Sequence, residues 1–129
     1  MRRAIIPNVK IAVVDYDRLT RDLVVNALMY CVNRDVLSFE TGFSALAYLD
    51  ADEDSTDIIV FDVDMPEMNG LALLESIKKK WPSKICVIMS KDPANEKSAS
   101  DLGADAFLAK PFKVTDLFNI VQKYVVDAE

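Results

Sequence analysis

No histidine occurs among the 129 residues. That absence removes imidazole acid–base catalysis, histidine metal ligation and phosphotransfer through a histidine of this chain. Cysteine is almost as scarce, and Cys31 and Cys86 lie far apart without metal-ligand spacing. Cys86 sits inside the apolar run Ile85-Cys86-Val87-Ile88-Met89 and reads as a small core residue. Two reduced thiols are therefore expected rather than a disulfide. No apolar stretch approaches the roughly 18–20 residues that span a bilayer. Met1-Arg2-Arg3-Ala4-Ile5-Ile6 opens like a secretory signal, but Pro7, Asn8 and Lys10 break the apolar region, which argues for a cytoplasmic protein without membrane contact. Positive charge is in deficit too: 15 Lys and Arg against 21 Asp and Glu leave a net charge of −6. Phosphate backbones would be repelled, so direct nucleic-acid binding by this domain is disfavoured.

What is present is ordinary globular composition, half apolar and about a quarter charged, in one domain's length of chain. A single domain over 1–129 is expected, with its core over about 9–126, a loose lead-in at 1–9 and a trailing end at 127–129. Short apolar runs at 10–14, 36–39, 58–61, 85–89 and 106–108 are rich in Val, Ile and Phe and too short for buried helices, so they read as buried strands. Helical spacing fills the gaps. Val114, Leu117, Phe118, Val121, Tyr124 and Val125 share one face of a final helix. Leu71, Leu74 and Ile77 mark another, ending in Lys78-Lys79-Lys80 before Pro82. Leu19, Leu23, Ala27 and Tyr30 support a helix after the first strand, 44–49 a shorter one, and 95–102 a thin one closed by Gly103. Five β–α units in series imply an α/β doubly wound fold: a mostly parallel sheet with helices on both faces and every strand C-terminus along one edge. In such sheets that edge carries the site.

Two strands turn acidic where they reach that edge, in Val13-Val14-Asp15-Tyr16-Asp17 and Val60-Phe61-Asp62-Val63-Asp64. Crowded carboxylates repel, and a hard divalent cation such as Mg²⁺ would relieve them. The plainer reading is that these aspartates cap the following helices. Ser90 at the end of the fourth strand and Lys110 in Lys110-Pro111-Phe112 after the fifth add a hydroxyl and an ammonium. Together these groups suit a phosphoryl group that needs charge neutralisation.

The segment Asp62-Val63-Asp64-Met65-Pro66-Glu67-Met68-Asn69-Gly70 resembles the phosphorylation-site signature of response-regulator receiver domains in two-component signalling. With the acidic strand end before it and Ser90 and Lys110-Pro111-Phe112 after it, the resemblance covers roughly 9–126. It implies a flavodoxin-like (βα)5 three-layer sandwich, with five parallel strands in the order 2-1-3-4-5. It further implies Asp62 as phosphoacceptor, Asp15, Asp62 and the Asp64 backbone carbonyl as Mg²⁺ ligands, and Lys110 as the phosphate-binding lysine. Ser90 and Phe107 would be the switch pair, and Gly70 would permit the loop conformation after Pro66. The implied partners are a histidine kinase or histidine phosphotransfer protein, and an output domain or second copy on the surface of the fourth helix, fifth strand and fifth helix. The chain would catalyse only its own phosphorylation and dephosphorylation and would not be an enzyme in the usual sense.

Four positions depart from that pattern or tune it. Tyr16 stands where the family has a second acid, which weakens the metal site; Asp17 either substitutes for it, two residues from Asp15, or caps the next helix. Lys91 follows Ser90 where a small residue is usual, and it would contact the phosphoryl group, pair with Asp62, crowd the entrance or reach into solvent. Asp64 and Asp92 flank the site where they would set the phosphoryl lifetime. Two alternatives follow: a degenerate receiver acting as a phosphorylation-independent interaction module, or, more distantly, a phosphatase of the haloacid-dehalogenase type with Asp64 as general acid.

Overall fold

The computed structural model describes residues 9–32 and 35–125. Expectations about the extreme N-terminus, the Cys31 side chain and residues 127–129 lie outside the described residues. Five strands, β1 (Ile11–Val14), β2 (Leu37–Phe39), β3 (Ile58–Asp62), β4 (Ile85–Ser90) and β5 (Ala106–Ala109), alternate with five helices. These are α1 (Arg18–Val32), α2 (Gly42–Ala51), α3 (Gly70–Lys80), α4 (Asn95–Asp101) and α5 (Val114–Val125), with a 3₁₀ turn at Glu53–Ser55 before β3. All strand pairs are parallel and the order is β2-β1-β3-β4-β5, the flavodoxin-like arrangement expected.

Alternation along the central strands divides the core. Ile59 and Phe61 of β3 join Val14, Cys86 and Ile88 against Ala45, Leu49, Leu73, Leu74, Ile77 and Ala99 of α2, α3 and α4. Ile58 and Val60 turn the other way, with Ile11, Val13, Val87 and Met89, against Val24, Leu28, Leu117 and Val121 of α1 and α5. Both faces of β3 are covered, which is why 58–61 reads as one unbroken apolar run. Local chemistry sets the helix starts: Thr41 Oγ1 accepts from Ser44 N at 3.1 Å, and Asn69 Oδ1 accepts from Ala72 N at 3.0 Å. The thin fourth helix buries Ala99 alone and closes at Gly103, where φ is +98°.

Three sequence expectations change. Val9, placed in the loose lead-in, is buried in the core. The second helix begins at Gly42, ahead of the expected 44. The largest change is in α1, whose inward side chains are Val24 and Leu28, while Leu19 is 80% and Tyr30 84% exposed. Both sets have helical spacing, so periodicity alone points to either face.

Candidate functional site: an acid pair bridged by a lysine

β1 and β3 are adjacent and in parallel register, Val14 opposite Phe61, so the next residues, Asp15 and Asp62, emerge side by side at the carboxyl edge. They are 1% and 4% exposed. Each is held from the chain beyond it: Asp17 N donates to Asp15 Oδ1, and Asp64 N to Asp62 Oδ2, both at 2.9 Å. The turn after Asp62 relies on Gly70. Its N–H donates to Val63 O at 2.8 Å, and a Cβ there would overlap the Asp62 carbonyl and lie 2.7 Å from Val63 Cα. Gly70 is needed for close approach of α3 to the acceptor strand and not for a positive φ; the left-handed residue of this loop is Glu67, at φ 72°.

Lys110 reaches across from just beyond the end of β5, where its backbone N–H donates to Ser90 O at the end of β4 at 2.8 Å. Its ammonium lies 2.7 Å from Asp62 Oδ1 and 3.5 Å from Asp15 Oδ2, bridging the two acids. The contact with Asp62 is an ion pair rather than a well-directed hydrogen bond, and Oδ1 is a buried oxygen otherwise without a partner among the described residues. Burial pushes the Asp15 pKa up, against the opposing pull of the Asp17 N–H and of Lys110, and the neighbouring Asp62 adds to the rise. Burial works against the charged form of Lys110, yet the paired Asp62 and nearby Asp15 outweigh it and raise its pKa. The site thus keeps a protonated lysine between two strand-end acids.

The remaining candidates separate by geometry. Asp17 takes the capping role: its Oδ2 accepts from Thr20 N at 3.1 Å and Thr20 Oγ1 at 2.5 Å, which holds its pKa down. No third acid joins Asp15 and Asp62 in a metal-sized group among the described residues. Of the two roles open to Asp17, this structure shows the cap, immediately before α1 begins at Arg18. Tyr16, Asp64 and Lys91 are exposed, and the lysine paired with Asp62 is Lys110, not Lys91. Lys91 instead lines a groove of about 380 Å³ with Thr20, Leu23, Lys110, Pro111 and Phe112. Phe107 is half-buried against the α2–α4 side of the core. Ser90 is fully buried, but its hydroxyl engages Asp92 and Asn95 rather than Asp62. Two participants escaped the sequence reading: Asn95, and Arg21, whose Nη1 donates to Asp15 O at 2.8 Å. Neither belongs to a recognisable motif; each comes from the first turn of the helix that follows its partner's strand.

The family model of the response regulator receiver domain matches residues 11–122. The chain belongs to that family. Among its relatives, the rice two-component response regulator ORR8 (Oryza sativa) is 37% identical over 89% of this chain and 96% of its own length. The Arabidopsis thaliana relatives ARR21 and ARR13 are both 32% identical, and the chain spans 18% and 20% of their lengths. A solved receiver-domain protein from Clostridium thermocellum superposes with a TM-score of 0.83 at 25% identity, covering 91% of this chain and 94% of its own. The BeF3-activated DrrB receiver domain superposes at 0.78 with 28% identity, covering 89% of this chain and 95% of its own. Receiver domains of two-component systems work between kinases and output domains and typically bind Mg²⁺. Here two adjacent buried carboxylates, one with an oxygen lacking a directed hydrogen bond, fit an ion that takes one or two protein carboxylates and completes its shell with water and phosphate oxygens. No helix of the described residues is long and apolar enough to cross a membrane.

Proposed function

We propose that this receiver accepts a phosphoryl group on Asp62 from a phosphohistidine of a histidine kinase or phosphotransfer protein. The observation that carries this reading is the buried Asp62 carboxylate with Lys110 Nζ 2.7 Å from its otherwise unpartnered oxygen. An Asp62 oxygen attacks phosphorus, the donor's N–P bond breaks, and the imidazole nitrogen leaves. Lys110 holds the phosphoryl oxygens electrostatically, already charged and already in place. Asp15, Asp62 and the Asp64 carbonyl would hold Mg²⁺, which would supply the remaining positive charge. The chain acts on itself and not on a turned-over substrate, so it is not an enzyme in the usual sense.

Delivery by a protein requires a surface beside the acid pair. Tyr16, in the turn before α1, and Leu19 and Leu23 on it are exposed, and Leu23 continues into the groove that Lys110, Pro111 and Phe112 line. A donor seated there brings its phosphohistidine over Asp62. Phosphorylation then draws Ser90 and Phe107 into a new arrangement and changes the α4-β5-α5 surface offered to an output domain or a second copy.

Tyr16 in place of an acid, together with Lys110 bridging both carboxylates, favours a second reading: a receiver that holds one state with the lysine standing in for the metal. Incubation with Mg²⁺ and acetyl phosphate separates the two. A mass gain of one phosphoryl group, absent in Asp62→Asn, is expected; an unchanged mass and unchanged NMR spectrum would leave the degenerate receiver. Trp81 is not a suitable reporter, because it caps the C-terminal end of α3 and donates to Glu53 Oε1 at 3.2 Å, at the opposite edge of the sheet.

A further inference from the structure

The Ser90 hydroxyl is saturated. It accepts from Asp92 N at 3.0 Å and from Asn95 Nδ2 at 2.9 Å, and it donates to Asp92 O at 3.2 Å. A serine hydroxyl has one donor and two acceptor sites, and all three are in use inside a fully buried pocket. Asp92 O also accepts from Asn95 N at 3.0 Å, so Ser90, Asp92 and Asn95 close a hydrogen-bonded ring from the end of β4 to the first turn of α4. The ring anchors that turn together with Asp92 Oδ1, which accepts from Ala94 N at 3.0 Å, while Ala94 at the helix start has no capping side chain.

We propose that Asn95 is a latch: its side-chain amide holds Ser90 in the resting position and makes the release of Ser90 toward Asp62 loosen the start of α4. This rests on the reading of Asp62 as acceptor and Ser90 as the hydroxyl that follows the phosphoryl group. For Ser90 to donate to a phosphoryl oxygen it must give up its bond to Asp92 O. The rotation also carries Oγ away from Asn95 Nδ2, leaving that amide to water or to a new partner. The half-buried position of Asn95 allows that exchange. Asn95 touches no reacting atom; it acts through Ser90 and is a positioning residue. Its effect is to raise the cost of the active arrangement by one neutral hydrogen bond. A shift of the equilibrium by about fivefold is the scale of such a bond.

Beryllofluoride with Mg²⁺, standing in for the phosphoryl group, tests this by titration followed in NMR spectra of the full chain. Asn95→Ala should bind it about fivefold more tightly than the wild type. In a Ser90→Ala background the same change should move affinity by less than about twofold, because the group it acts through is gone. In the wild type, the Asn95 side-chain amide protons should exchange slowly at rest and shift on titration. Equal affinity of Asn95→Ala and wild type, or an equal gain in the Ser90→Ala background, overturns the latch while leaving Asp62 as acceptor. A wild type that takes up no beryllofluoride overturns both.

Discussion

At the amino-terminal edge of the sheet Lys84 is buried with its ammonium donating to the carbonyls of Glu53 and Thr56, and Lys78 Nζ bonds Lys84 O at 2.7 Å and Asp105 Oδ2 at 2.8 Å. Asp105 Oδ2 accepts Cys86 N at 2.9 Å and Asp57 Oδ2 accepts Lys10 N at 2.9 Å, so each charge there has a hydrogen-bonded counterpart. At the carboxyl edge two buried acids share one lysine, and one of their oxygens lacks a directed bond. The first arrangement ties loops to strand starts. The second leaves binding capacity unspent, as a site awaiting an anion and a cation must.

Four experiments press on this contrast. The largest effect is expected from Gly70→Ala, which forces α3 off the Asp62–Val63 backbone and should cost about 3 kcal/mol in urea unfolding along with phosphorylation. Lys84→Met should strip the donor from two buried carbonyls and cost about 2 kcal/mol. Because its edge is structural, the folded protein should keep wild-type affinity for beryllofluoride; a lost affinity would mean that the edges are coupled.

Asp15→Asn should act in the opposite sense, raising stability at pH 7 on the order of 1 kcal/mol by relieving a buried charge. It should also abolish the thermal stabilisation by Mg²⁺ that is expected of the wild type. The sign of the pH dependence follows from the raised pKa of Asp15: the native state holds this proton more tightly, so the charged form opposes folding at neutral pH. The wild type should gain on the variant as pH falls through that raised value toward the ordinary 3.8, and the gap should close where Asp15 is neutral in both states. The smallest effect on stability, within about 0.5 kcal/mol, is expected for Leu19→Asp on the exposed face of α1. That variant should take phosphoryl groups from acetyl phosphate at the wild-type rate and from a phosphohistidine protein more slowly. Equal slowing with both donors would remove α1 from the docking surface.

The contrast between edges also explains what could be read without coordinates. Runs of Val, Ile and Phe ending in Asp, Ser or Lys-Pro announce buried strands and the edge at which they finish, because a strand covered on both faces tolerates little else until it leaves the core. The acid pair, Ser90 and Lys110 were therefore legible, as was their place in one fold. Cys86 was legible as core, and burial pushes its thiol pKa up to about 12.

By itself the sequence determined the family and the identity of the acidic edge, since both follow from short-range pattern and from the chemistry of strand ends, and the strand order came as what the family resemblance implies. Only the tertiary structure decided which of two apolar stripes of α1 faces inward, that Asp17 caps a helix, and that Gly70 answers to a close approach. It also decided that Lys110 bridges both acids and that Asn95 holds Ser90. The physical reason is common to all five: each depends on which partner lies across a gap of a few ångströms. For Gly70, Lys110 and the stripes of α1 that is set by how distant segments pack; for Asp17 and Asn95 it is set by how the chain turns at the end of a strand.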